Sequence, residues 1–172
     1  AAYVGDNVDL GDGRVVLEPR TIAKMLEALD IQPDEVVLDL GCALGYTTAL
    51  MARLGEFVVA VEDDPARAAE AQALLSDHGV DNAAVVEGPL AEGAAKSGPY
   101  DVIVLQGAAE QVPPALLDQL KDGGRICAIF ADGRLGEVRV GYKLGDGMSW
   151  RRAFNAGAPL VPGFEKHRAF ML

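Results

Sequence analysis

The chain has 172 residues, a formal net charge of −11 and a pI near 4.5. Half of its residues are hydrophobic and 24% are charged, which excludes a disordered chain and is typical of a globular protein with a sizeable core. The acidic balance argues against nucleic acid as a partner, because phosphate binding needs a basic surface.

The two cysteines, Cys42 and Cys127, each lie beside apolar, strand-like residues. We expect them to be small core residues of a reduced, cytoplasmic protein, because their spacing fits neither a disulfide framework nor a metal site. The sequence contains nothing that resembles a signal peptide, and no apolar run approaches the roughly 18 residues of a membrane span. We therefore predict no bound metal and no membrane association.

Strands and helices alternate through the middle of the chain. Before them, residues 1–16 predict an irregular lead-in that ends in an extended piece at 14–17, and a helix begins at Pro19 and ends before 32–34. The predicted strands are 36–40, 57–61, 82–87, 100–105 and 125–130, with helices at 46–54, 66–78 and 115–121. This alternation predicts right-handed βαβ units and a parallel sheet.

The end of the chain has a different pattern. Residues 137–144 alternate between apolar and polar, residues 145–147 predict a tight turn, and residues 148–154 return as a partner strand. A last short piece is predicted at 168–172. We predict a single domain over 1–172: a lead-in with the first helix (1–35), a βαβ core (36–131) and antiparallel C-terminal strands (132–172).

The stretch VVLDLGCALGY, residues 36–46, combines a buried strand, a glycine turn and a helix start. Such a turn is typical of sites for nucleotide-like ligands. The dinucleotide pattern G-x-G-x-x-G is not met, because Tyr46 stands where the third glycine belongs. Asp39, two residues before Gly41, would repel a pyrophosphate. Both features argue against a nicotinamide-dependent dehydrogenase.

S-adenosylmethionine fits the glycine turn and Asp39 better than a dinucleotide does, since it carries a sulfonium and an amino group but no phosphate. Glu62 ends the second predicted strand, 21 residues beyond Gly41, where a carboxylate can accept hydrogen bonds from ribose hydroxyls. A strand-end carboxylate is also common as an ordinary surface acid. Asp39, the glycine turn and Glu62 on consecutive strands together favour the cofactor site.

Three stretches resemble the protein-L-isoaspartate O-methyltransferases: LDLGCALGYTTALMARL, the strand ending VAVEDD, and PYDVIVL followed by VPPALLDQLKDGGR. The lead-in AYVGDNVDLGDGRVVLEP is similar as well. The resemblance implies an α/β, Rossmann-like class I methyltransferase fold. Its sheet would be mostly parallel and seven-stranded, with helices on both faces and an antiparallel C-terminal hairpin. It also implies an extra helical segment before Ala1.

The resemblance implies roles for individual residues. The cofactor would be contacted by Asp39, Gly41, Cys42, Ala43, Gly45, Tyr46, Glu62, Asp63, Gly88, Pro89, Leu90 and Gln106. Asp63 and the segment 88–90 would lie beside the adenine, and Gln106 would follow the fourth strand, facing the sulfonium. Tyr3, Leu17 and Pro19 would lie on the substrate side. The implied substrate is an isoaspartyl carboxylate of a damaged peptide or protein, and the implied product of the cofactor is S-adenosylhomocysteine.

The chain departs from the family pattern at three positions. Ala43 replaces the middle glycine of the turn, and Pro89 replaces an acid beside the adenine. Leu17 replaces a hydroxyl residue that would lie near the accepting carboxylate; it is equally consistent with an ordinary packing residue. Methyl transfer to an ionised carboxylate needs no general base, so no catalytic residue is assigned. The alternatives are a small-molecule methyltransferase of the same fold and a non-catalytic cofactor-binding protein.

Overall fold

The computed structural model describes residues 7–132 and 135–166. Nine strands and four α-helices follow one another along this part of the chain, with two short 3-10 helices at Leu90–Glu92 and Ala95–Ser97. The strands and α-helices are β1 (Val8–Gly11), β2 (Arg14–Val16), α1 (Pro19–Leu29), β3 (Val36–Leu40), α2 (Tyr46–Leu54), β4 (Phe57–Glu62), α3 (Pro65–Asp77), β5 (Ala83–Glu87), β6 (Tyr100–Ala109), α4 (Pro114–Leu117), β7 (Leu120–Asp132), β8 (Leu135–Leu144) and β9 (Gly147–Asn155).

Seven of the strands form one sheet of order β5-β4-β3-β6-β7-β8-β9, with β1 and β2 in a separate two-stranded sheet. Strands β3 to β7 pair in parallel, whereas β8 and β9 are antiparallel to their neighbours. The strand order reverses between β3 and β6, which places a crevice at their carboxyl ends. The predicted fold class is therefore confirmed, including the antiparallel hairpin at the C-terminal side.

Apolar side chains cover both faces of the sheet. One cluster packs α1 and α2 against the sheet through residues such as Met25, Leu29 and Met51, and the opposite cluster includes Leu116 of α4 and Phe164. The parallel strands are buried on both sides, and this explains their nearly continuous apolar runs. None of the helices in the described ranges is long and apolar enough to cross a membrane.

Several predicted boundaries were wrong near the middle of the sheet. The helix predicted at 115–121 is a single turn, because strand β7 starts at Leu120 rather than at Arg125. Tyr100 pairs with Leu120 across the sheet, and Gly123 has a φ of 81°, so strand pairing overrides the local helical pattern there. Strand β6 is four residues longer than predicted.

The lead-in is more regular than predicted. Strand β1 pairs with β2 in an antiparallel hairpin whose turn contains Asp12 and Gly13, both at positive φ. An Asp-Gly dipeptide between short extended runs is a recognised hairpin signal, and it could have predicted β1. The piece predicted at 168–172 lies outside the described residues.

Candidate cofactor site

Asp39 lies at the centre of a buried polar cluster between the carboxyl ends of β3 and β6. Its carboxylate is fully buried and accepts a hydrogen bond of 2.7 Å from the Thr48 hydroxyl and one of 2.6 Å from Gln106 Nε2. The same amide nitrogen donates to Thr47 Oγ1 at 2.7 Å. Burial raises the pKa of Asp39 to about 6, and the Gln106 and Thr48 hydrogen bonds oppose that rise.

Gln106 reaches this cluster from a different place than predicted. It lies within β6, not in a loop after the strand, at a point where the pairing with β7 shifts register between Val104 and Ala108. Such an irregularity re-aims side chains in a strand. Here it accompanies a Gln106 side chain that is directed at Asp39.

The glycine turn connects β3 to α2. The N–H groups of Gly41 and Cys42 both donate to the carbonyl oxygen of Val61, at 2.9 and 3.3 Å, so the turn is tied to the end of β4. Gly41, Ala43 and Gly45 have φ values of 92°, 51° and 92°. Ala43 thus holds a left-handed conformation that usually favours glycine.

Glu62 accepts hydrogen bonds from four donors, two on each carboxylate oxygen. The N–H groups of Ala43 and Asp64 lie 2.8 and 3.0 Å from Oε1 and Oε2. The guanidinium of Arg14 binds both oxygens, at 2.7 and 2.8 Å. Burial alone would raise the pKa of Glu62, but the hydrogen bonds from Arg14 and its other partners lower it to about 2.

Three further residues take part in the hydrogen bonds around Asp39, Gln106 and Glu62, although the sequence did not single them out: Arg14, Thr47 and Thr48. Arg14 lies in β2, its side chain is fully buried, and its guanidinium also contacts the carboxylate of Asp63. An arginine followed by two valines in an extended piece was the available signal, because a buried guanidinium needs anionic partners. Thr47 and Thr48 belong to the first turn of α2.

The residues predicted beside the adenine border an accessible cleft of about 490 Å³. Gly88, Pro89 and Leu90 line it together with Asp63, whose side chain is 32% exposed. The neighbouring part of the predicted site is closed, since Cys42, Glu62 and Gln106 are at most 2% exposed. The structure thus divides the predicted site into an open side and a buried side.

Three other predicted site residues stand apart from the buried cluster. Tyr46 is 67% exposed and lines a separate cavity with Leu50 and His78. Leu17 is buried in the apolar cluster beneath the lead-in, in line with the packing alternative. Pro19 is exposed at the first position of α1, and Tyr3 lies outside the described residues. In the ranges 7–132 and 135–166, no group of three acidic, histidine or cysteine side chains is placed to hold a metal.

Two named relatives are similar to this chain over most of its length. It is 33% identical to the protein-L-isoaspartate O-methyltransferase of Vibrio atlanticus over 94% of this chain and 78% of that protein. It is 40% identical to the enzyme of the same name from Anaeromyxobacter dehalogenans, over 86% of this chain and 71% of that protein.

Solved structures show the same fold. A protein-L-isoaspartate O-methyltransferase superposes with a TM-score of 0.82 at 24% identity over 91% of this chain, which spans only 52% of that longer protein. A putative enzyme of this type from Plasmodium falciparum, in complex with S-adenosyl-L-homocysteine, gives a TM-score of 0.77 at 18% identity, over 94% of this chain and 82% of that one.

The decisive match is to a family model, since it covers most of the chain. The model is described as protein-L-isoaspartate(D-aspartate) O-methyltransferase, and it matches residues 1–149. The relatives from Vibrio and Anaeromyxobacter carry the same family name. The chain therefore belongs to the protein-L-isoaspartate(D-aspartate) O-methyltransferase family.

Proposed function

We propose that this chain binds S-adenosylmethionine and transfers its methyl group to the isoaspartyl carboxylate of a damaged peptide or protein. The observation that carries the proposal is the placement of two buried carboxylates, Asp39 and Glu62, at the ends of adjacent strands around the glycine turn. The family relationship supports the choice of substrate.

The residues present suit this cofactor in their chemistry. Asp39 offers a buried negative charge to a ligand that carries positive charge, and Glu62 lies where ribose hydroxyls can donate to a carboxylate. The cleft beside Asp63 and the segment 88–90 is large enough for a flat base. Arg14 conflicts with this arrangement, because it already binds Glu62.

S-adenosylmethionine, when bound, supplies an electrophilic methyl group on a sulfonium. A carboxylate acceptor is ionised at neutral pH, so the chain's residues need only align the two groups and exclude water. Asp39, held by Thr48 and Gln106, is positioned to orient the cationic end of the cofactor. Glu62, held by the Ala43 N–H, is positioned to orient its ribose.

We further infer a reducing, cytoplasmic setting and a polypeptide partner. Both cysteines are buried and unpaired, and burial raises the pKa of Cys127 to about 12, so neither thiol is poised for exchange. The net charge of −11 disfavours a nucleic-acid partner.

Two measurements test the proposal. Calorimetry should give a binding heat with S-adenosylhomocysteine and none with NADH; binding of NADH alone would refute the cofactor assignment. Labelled methyl groups should pass from S-adenosylmethionine to an isoaspartyl peptide but not to the matched aspartyl peptide.

Glu62→Gln should weaken cofactor binding, whereas Glu70→Gln, at an exposed position of α3, should not. Cofactor binding without transfer to any isoaspartyl peptide would leave the chain a binding protein.

A further inference from the structure

Arg14 is bound to Glu62, the carboxylate that we expect to accept hydrogen bonds from the cofactor's ribose. Each oxygen of Glu62 already accepts one backbone N–H, and the two guanidinium nitrogens of Arg14 take the remaining acceptor positions. A ribose diol cannot donate to this carboxylate while both nitrogens of Arg14 stay in place.

The guanidinium also covers the glycine turn. A Cβ atom built on Gly41 would lie 3.1 Å from Arg14 Nη2, so this nitrogen packs directly against the backbone of the turn. Arg14 itself is only 1% exposed, and Asp39 and Glu62 are fully buried. The side chain of Arg14 therefore lies against both Gly41 and Glu62 on the buried side of the predicted cofactor site.

Asp63 is a second carboxylate partner of Arg14. Arg14 Nη1 contacts the carboxylate of Asp63, which is 32% exposed at the edge of the open cleft. Arg67 Nε lies 3.5 Å from Glu62 Oε2, so a cation remains beside Glu62 after Arg14 has moved. A rotation of the Arg14 side chain towards Asp63 would keep it paired with a carboxylate while it frees Glu62.

The backbone that carries Arg14 need not move far. Strand β2 belongs to the two-stranded hairpin, not to the main sheet, and its partner β1 is mostly exposed. Val15, the next residue, is buried in the apolar core and anchors the strand. A change in side-chain rotamer is thus the smallest movement that opens the site.

We propose that Arg14 acts as an internal latch that binds Glu62 in the free protein and exchanges with the cofactor's ribose on binding. The inference rests on the proposed function. It makes Arg14 a determinant of cofactor affinity, because part of the cofactor's binding energy is spent on breaking the Arg14–Glu62 ion pair.

Calorimetry with S-adenosylhomocysteine on the wild type and on Arg14→Gln tests the latch. The variant should bind about tenfold more tightly, since it no longer supplies a cation that competes for Glu62. Arg125→Gln is the matched control, because Arg125 forms a comparable ion pair with Glu35 and is not part of the site. The control should bind as the wild type does.

If Arg14→Gln binds S-adenosylhomocysteine as the wild type does, or more weakly, the latch is overturned and the proposed function stays intact. Absence of binding in folded wild type and folded variant overturns the proposed function itself, and the latch with it. Side-chain NMR of arginine in the wild type decides the question if the variant does not fold. The Nη2 protons of Arg14, which donate to Glu62 rather than to Asp63, should lose their protection at saturating S-adenosylhomocysteine, and their persistence overturns the latch.

Discussion

Gln106 and Asp39 are joined by a buried hydrogen bond of 2.6 Å, although they are 67 positions apart in sequence. The parallel pairing of β3 with β6 places Leu40 beside Leu105, and this brings the two polar side chains to the same end of the sheet. Gln106 is 2% exposed and Asp39 is fully buried. The carboxylate therefore depends on protein donors rather than on bulk water.

Replacement of Gln106 by Leu should lower the free energy of unfolding by about 2–3 kcal/mol, because a buried carboxylate loses a hydrogen-bond donor. Urea denaturation measures the effect. Gln111→Leu, at an exposed position shortly after β6, is the control and should change stability by less than about 0.5 kcal/mol. Equal losses in the two variants would show that the Asp39–Gln106 bond contributes nothing specific.

The stability contributed by Asp39 should depend on pH. Its pKa is about 6 in the fold and 3.8 in its ordinary state, so between these pH values the folded chain holds a proton that the unfolded chain has lost. Stability from this group is present at low pH and falls as the pH rises through about 4 to 6, by up to about 3 kcal/mol.

Asp39→Asn should therefore gain stability relative to the wild type between pH 4 and pH 7, as measured by urea denaturation at each pH. The difference between the two proteins isolates Asp39 from Glu62, whose pKa is lowered and which acts in the opposite direction at lower pH. Asp77→Asn, at an exposed position of α3, is the control and should keep the wild-type pH dependence. A constant difference between Asp39→Asn and the wild type would contradict the assignment.

Alanine at Gly45 should cost more stability than alanine at Gly79. Both glycines have positive φ values, 92° and 68°, so both substitutions carry a backbone penalty of about 1 kcal/mol. A Cβ at Gly45 would also lie 3.2 Å from the carbonyl oxygen of Ala71, whereas a Cβ at Gly79 meets no atom within 4 Å.

We expect the extra contact at Gly45 to add about 1–2 kcal/mol to the loss of unfolding free energy. The Gly79 variant carries a left-handed backbone without the close contact, so it sets the baseline against which the loss at Gly45 is compared. Denaturation curves that coincide for the two variants would mean that α3 yields to the added methyl group without cost.

Leu17→Ser should destabilise the protein without improving methyl transfer. Leu17 is 2% exposed and packs in the cluster that contains Ile22 and Met25, so its loss leaves a cavity and costs about 2–5 kcal/mol. Leu17→Ala creates a similar cavity without the hydroxyl. Transfer to an isoaspartyl peptide should be no faster in the Ser variant than in the Ala variant. Faster transfer with Ser would show that position 17 reaches the acceptor.

The order of strands and helices could be read from the sequence, because it depends on short-range properties. Apolar runs predicted the parallel strands, and the positions of Gly41 and Gly45 predicted the turn into a helix that spans Tyr46–Leu54 in the structure. Asp39 and Glu62 stood out for a related reason: an acid at the end of an apolar strand is visible without knowledge of its neighbours.

Only the tertiary structure decided what these acids contact. The Arg14–Glu62 pair joins residues 48 positions apart, and the distance between such residues depends on how the hairpin packs on the sheet. The same holds for the burial of Leu17, for the single turn of α4 and for the reach of Gln106 from within β6. Local sequence preferences determine the backbone conformation of this site, whereas long-range packing determines which charged groups meet there and how far they are exposed.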